Sequence, residues 1–140
     1  MQYVCDALNG KTWFRIETEA EAELESEMMG HAVAKHYRQN QEQARRSYQP
    51  VSTVSFEQNI GLKAHLQKEM ALFLTLRDPE GEGLATAMLP PGGKEDSRFQ
   101  IIIVGKNNSD PYDAHEEAIE ALGAHFGLRL ERRRCYPYRR

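Results

Sequence analysis

The sequence predicts an α+β fold: a mixed, largely antiparallel sheet with a long N-terminal helix and a shorter C-terminal helix, in one domain spanning residues 1–140. Three observations carry this expectation. The chain opens on an Asn-Gly pair between two strand-like runs. Three further apolar runs of strand length lie between Met70 and Gly105, and helix-forming segments flank them on both sides.

QYVCDAL and KTWFRIE flank Asn9-Gly10, the preferred pair for a two-residue type I′ hairpin turn. Pairing Leu8 with Lys11 sets Cys5 opposite Phe14 and Tyr3 opposite Ile16, so Tyr3, Cys5, Phe14 and Ile16 share a face expected to be core. The other face carries Val4, Asp6, Leu8, Lys11, Trp13 and Arg15, a mixed set suited to cover by another element or another subunit. Trp13 is its natural anchor for an interface.

The next stretch, ETEAEAELESE, alternates glutamate with small or apolar residues. Alternation suggests a strand, but glutamate and alanine favour helix and are depleted in sheets. Thr18 and Glu21 have the spacing of a capping box. Downstream, Leu24, Met28, Ala32 and Lys35 follow one face and Met29, Val33, Tyr37 and Ala44 an adjacent one, predicting a helix from about Glu19 to Arg46. Such a helix would be ~42 Å long, against a domain diameter of about 37 Å. It therefore breaks near Gly30 or protrudes, and a protruding apolar stripe argues for a homo-oligomer, most simply a dimer. Met28, Val33 and Tyr37 join Trp13 as expected interaction residues.

Beyond Pro50, VSTVSFEQNIGLKAHLQKE fits a short helix or irregular structure equally well. MALFLTLR, LATAML and RFQIIIVG then read as strands whose nearly continuous apolar residues predict cover on both faces. Asp110-Pro111 opens the last helix, with aspartate as N-cap and proline in the first turn, and Gly127 closes it. Its inner stripe is His115, Ile119, Leu122 and Phe126. LRLERRR reads as a final strand, completing a strand-helix-strand unit.

Hydrophobic residues make up 40% and charged residues 28%, too apolar a mixture for a disordered chain. The longest apolar run, IIIV, falls far short of the ~18 residues of a membrane span, and the start shows no leader pattern, so a cytoplasmic location without membrane association is expected. Cys5 and Cys135 are then expected to be reduced. The net charge of -3 conceals a polarity, because Glu17 to Glu27 holds six glutamates and Arg129 to Arg140 six arginines. That pattern argues against a uniformly basic nucleic-acid binder.

Four groups of residues invite a chemical reading. Glu23, Glu27 and His31 are spaced to share a helix face, but a helix this rich in glutamate produces such spacings by chance, and they read as a solvated face rather than a metal site. His115, near Asp113, Glu116 and Glu117, joins Asn107, Asn108 and Asp110 of the preceding loop as a candidate ligand pocket; no nucleophile accompanies them and no cofactor is indicated. The tail, with Arg132, Arg133, Arg134, Tyr136 and Tyr138, mixes the ingredients of phosphate pairing and base stacking. The matching acidic segment favours self-pairing instead, within one subunit or across a dimer. The leading expectation is a cytoplasmic self-associating domain that binds a further, unidentified protein. The alternative is a small enzyme or ligand-binding protein with a pocket near His115, and nucleic-acid binding through the tail is a minor one.

Overall fold

A computed structural model describes residues 1–51 and 53–137. Strands β1 (Gln2–Asp6), β2 (Thr12–Arg15), β3 (Leu72–Arg77), β4 (Gly83–Leu89) and β5 (Ile102–Gly105) form an antiparallel meander in the order β1-β2-β3-β4-β5. Three helices, α1 (Glu19–Met29), α2 (Val33–Arg46) and α3 (Ser55–Glu69), are inserted between β2 and β3; α4 (Tyr112–Phe126) follows β5. The fold is α+β.

The two faces of the sheet build two cores. On one, Leu72, Leu74 and Leu76 of β3, Ala85, Ala87 and Leu89 of β4 and Ile103 of β5 pack with Trp13 against Ala118, Ile119 and Leu122 of α4. The intervening residue Phe73 points the other way, where it joins Ile16, Ala22, Val33, Ala34, Tyr37 and Ala44 under α1 and α2. The period-2 alternation of a strand thus feeds both layers, which is why these strands read as unbroken apolar runs.

The first hairpin departs from the expected register. Asp6 pairs with Thr12 and Cys5 with Trp13, and a bulge then brings Tyr3 opposite Phe14. Asn9 and Gly10 both take the left-handed conformation expected of them (φ 61° and 75°), but the loop is longer than two residues: Ala7 N–H donates to Lys11 O at 2.8 Å. Of the predicted core face, Ile16 is buried and Tyr3 is exposed, whereas Trp13 is fully buried. The cover for Trp13 is α4, whose Ala118 carbonyl accepts its indole N–H at 2.8 Å.

The stretch from Glu19 to Arg46 is two helices, not one. Gly30 ends α1 in the left-handed conformation (φ 65°), where a side chain would be strained and a Cβ would run into Asn107 Oδ1. α2 folds back beside α1, which removes the protruding rod and seals Val33, Tyr37 and Ala44 inside. The capping box at Thr18 and Glu21 is formed: Glu21 N–H donates to Thr18 Oγ1 at 3.1 Å, and the Glu21 carboxylate accepts from Thr18 N–H at 3.2 Å. α1 is shorter than α4.

At the far end, Asp110 accepts Tyr112 N–H at 2.9 Å and Gly127 closes α4 in the left-handed conformation. LRLERRR forms no strand; the chain instead makes a short 3-10 turn at Arg132–Arg134. Tyr136 then meets Ile102 in a single parallel bridge along the β5 edge. Cys5 and Cys135 are free thiols, Cys5 half-buried and Cys135 buried.

Candidate interaction surface

The side chains nominated from sequence fall in several places. Trp13, Val33 and Tyr37 are core residues. Met28 is partly exposed, and its sulfur packs against Gly83, where an added Cβ would lie 3.0 Å from it. His115 lies beside Lys11, whose Nζ is 3.3 Å from its Nδ1, in a hollow of about 290 Å³ lined also by Asn9, Asp113 and Glu117. Burial and then the Lys11 charge hold the His115 imidazole below its ordinary pKa. Asn107 and Asn108 are elsewhere, on a left-handed turn facing the α1–α2 junction, and Asp110 is engaged with Arg132. The expected pocket residues are therefore not brought together.

Nor, among the described residues, does the arginine tail meet the acidic helix. Among the described residues, Glu19 and Glu23 pair with Arg38 at 3.8 and 3.5 Å, Glu21 with the amino terminus at 2.5 Å, and Glu25 with Arg77 at 2.7 Å. Arg132 instead pairs with Asp110 and Asp113, and Arg134 with Glu95 and Glu131. The break at Gly30 explains the two Arg38 pairs, because it returns α2 and its Arg38 alongside α1. Arg133 and Tyr136 remain exposed; Tyr138 lies outside the described residues.

One polar network anchors α1 to the sheet. Glu25 is fully buried; its carboxylate accepts from Arg77 Nη2 at 2.7 Å and from Thr86 Oγ1 at 2.6 Å. His31 Nδ1 faces Val33 N–H at 3.4 Å, which assigns the proton to Nε2, and Nε2 donates to Thr86 Oγ1 at 2.8 Å. The threonine hydroxyl is thus held between a donor and a carboxylate and works as a bridge. Glu23 and Glu27 take no part, and no three His, Cys, Asp or Glu side chains gather to hold a metal among the described residues.

Burial is the main influence lowering the His31 pKa, against a smaller opposing pull from Glu25. The native state therefore keeps this ring neutral while the unfolded chain protonates first as pH falls. Its stabilising contribution is complete above the unfolded-state pKa and is lost as pH drops through the folded-state value. We expect the urea midpoint to fall between pH 7.5 and pH 5, and His31→Gln, which keeps a donor for Thr86, to show a smaller fall. An unchanged fall in the variant would refute the assignment.

The surface that sequence reading passed over is α3. None of its residues is buried, yet Phe56 is 72% and Ile60 56% exposed, and Val51 and Val54 stand exposed just before it. The opposite side of α3, with Gln58, Leu62, His65 and Leu66 half-buried, leans on α2: Tyr48 O–H donates to Gln58 O at 3.3 Å, and His65 contacts Ser47 Oγ at 2.8 Å. Apolar residues on both sides of the helix obscure the single stripe that sequence reading looks for. The i, i+4 spacing of Phe56 and Ile60 was the available signal.

The chain matches no protein family, no curated protein and no solved structure. Function is therefore argued from its own surface. Among the described residues, no helix is long and apolar enough to cross a membrane.

Proposed function

We propose that the protein is a self-associating interaction domain that pairs with a second copy through α3. The observation that carries this reading is the exposure of Phe56 and Ile60 on the side of α3 turned away from α2. Charge adds direction. Glu57 lies in the first turn of α3 and Lys68 in the last, on the same flank of the Phe56–Ile60 face. An antiparallel pair of α3 helices related by a two-fold axis brings Glu57 of each copy toward Lys68 of the other, as an isologous interface requires.

Sedimentation velocity at micromolar concentration tests this reading. A dimer is expected, and Phe56→Glu with Ile60→Glu is expected to raise its dissociation constant by at least about a hundredfold, from two buried apolar side chains each worth roughly 1.5–3 kcal/mol. Glu57→Lys and Lys68→Glu should each weaken the dimer, and together restore it. A wild-type monomer at 100 µM, a ceiling on the order of −5.5 kcal/mol of association energy, would end the proposal.

The hollow where Lys11 touches His115 supports a second reading, a small-ligand site on that side of the sheet. Nuclear magnetic resonance of the His115 ring during titration with acetate and phosphate tests it; an unmoved resonance removes it.

A further inference from the structure

A groove of about 440 Å³ runs beside the exposed face of α3, bounded by α2 and the end of β2. Its apolar lining comes from Ile16, Leu62, Leu66 and Met70, and its mouth carries both signs of charge, Arg15 and Lys63 with Glu17. Such a mouth selects no charged ligand, and the apolar lining decides what fits. The groove is continuous with the face proposed above for pairing, because Lys63 and Gln67 line it and also follow Phe56 and Ile60 along that face.

The helix that walls the groove also carries a side chain to fill one. Phe56 is 72% exposed and lies about 40° nearer the groove than Ile60 around the α3 axis. It cannot reach the end of its own groove at Leu66 and Met70, which lie ~15 and ~21 Å further along the helix. A second copy brings it there. When Glu57 of one copy lies level with Lys68 of the other in the antiparallel pair, Phe56 comes level with Glu69 of that copy, beside Leu66 and Met70 of its groove. The two-fold axis sets both grooves on the same side of the helix pair, the side toward which Phe56 leans.

We infer, granted the α3 pairing, that the groove is the socket for Phe56 of a second copy, each chain giving one ring and receiving one. The ring then rests on Leu66 and Met70 of the other copy, while Ile60 stays at the contact between the two helices. Because the exchange is reciprocal, both grooves are filled in a closed pair and neither is left to extend the assembly.

Complementation tests the socket. Phe56→Ala removes the ring and Leu66→Trp fills the groove, so each variant loses both contacts of its own dimer, and a dissociation constant raised by about a hundredfold or more is expected for each. A mixture of the two regains one contact, the ring of the Leu66→Trp chain in the groove of the Phe56→Ala chain. Sedimentation velocity of the mixture should show a mixed dimer about tenfold or more tighter than either parent dimer. In the wild type, nuclear Overhauser contacts are expected between the Phe56 ring and the Leu66 and Met70 methyls, which ~15 Å or more of helix forbids within one chain. A wild-type dimer without those contacts, or a mixed dimer no tighter than its parents, overturns the socket and leaves the pairing standing; a monomeric wild type ends both. Should Leu66→Trp not fold, the wild-type contacts decide alone.

Discussion

Glu25→Ala is expected to destabilise the protein by about 3–5 kcal/mol, the largest effect of any single exchange in α1. The reason is what it leaves behind. Arg77, with its side chain 13% exposed, loses the carboxylate at 2.7 Å, and Thr86 loses the acceptor of its hydroxyl proton. The charge of a buried pair is costly to strand, whereas replacing both partners by apolar residues of similar size is often neutral. Glu25→Leu with Arg77→Met should therefore recover most of the loss. Equilibrium urea unfolding of the single and double variants gives the coupling directly. A loss below about 1 kcal/mol for Glu25→Ala, the range of an exposed ion pair, would mean that the network does not hold α1 to the sheet.

Trp13→Ala is expected to cost about as much, roughly 3–5 kcal/mol, through a different mechanism. Trp13 is fully buried between β2 and α4, and its removal opens a cavity that the surrounding sheet and helix fill only in part. Trp13→Phe separates the contributions, because it keeps most of the packing and loses the bond to the Ala118 carbonyl. That exchange should cost about 1–2 kcal/mol from the hydrogen bond and the smaller ring. Thermal unfolding followed by circular dichroism ranks the three proteins. Equal stability of wild type and Trp13→Ala would contradict the placement of this ring in the core.

The parts of the fold that sequence reveals are those in which several local preferences agree. β3, β4 and β5 were legible because apolar residues on both strand faces meet a helical layer on each side. The capping box at Thr18 and the closure at Gly127 were legible because a few residues decide them locally. The hairpin register was not: Asn9-Gly10 specifies left-handed backbone, but the placement of Trp13 under α4 is a tertiary demand that the turn residues do not encode. The special standing of Glu25 was hidden among six similar glutamates. Its spacing from Ala22 and Met29, three before and four after, puts it on the buried face of α1, and only the arrival of Arg77 and Thr86 opposite makes that burial tolerable. α3 escaped because its two apolar sides serve different ends, one against α2 and one outward.

The meander has a kinetic consequence. Each strand pairs with its neighbour in sequence, so β3 and β4 meet after the short excursion from Arg77 to Gly83, while β2 reaches β3 only after the whole span from Arg15 to Leu72. Loop-closure scaling makes the longer excursion roughly 2 kcal/mol more expensive in chain entropy. The β2–β3 seam is thus a junction whose closure is costly in chain entropy, and compaction of the three-helix insertion shortens the excursion it has to close.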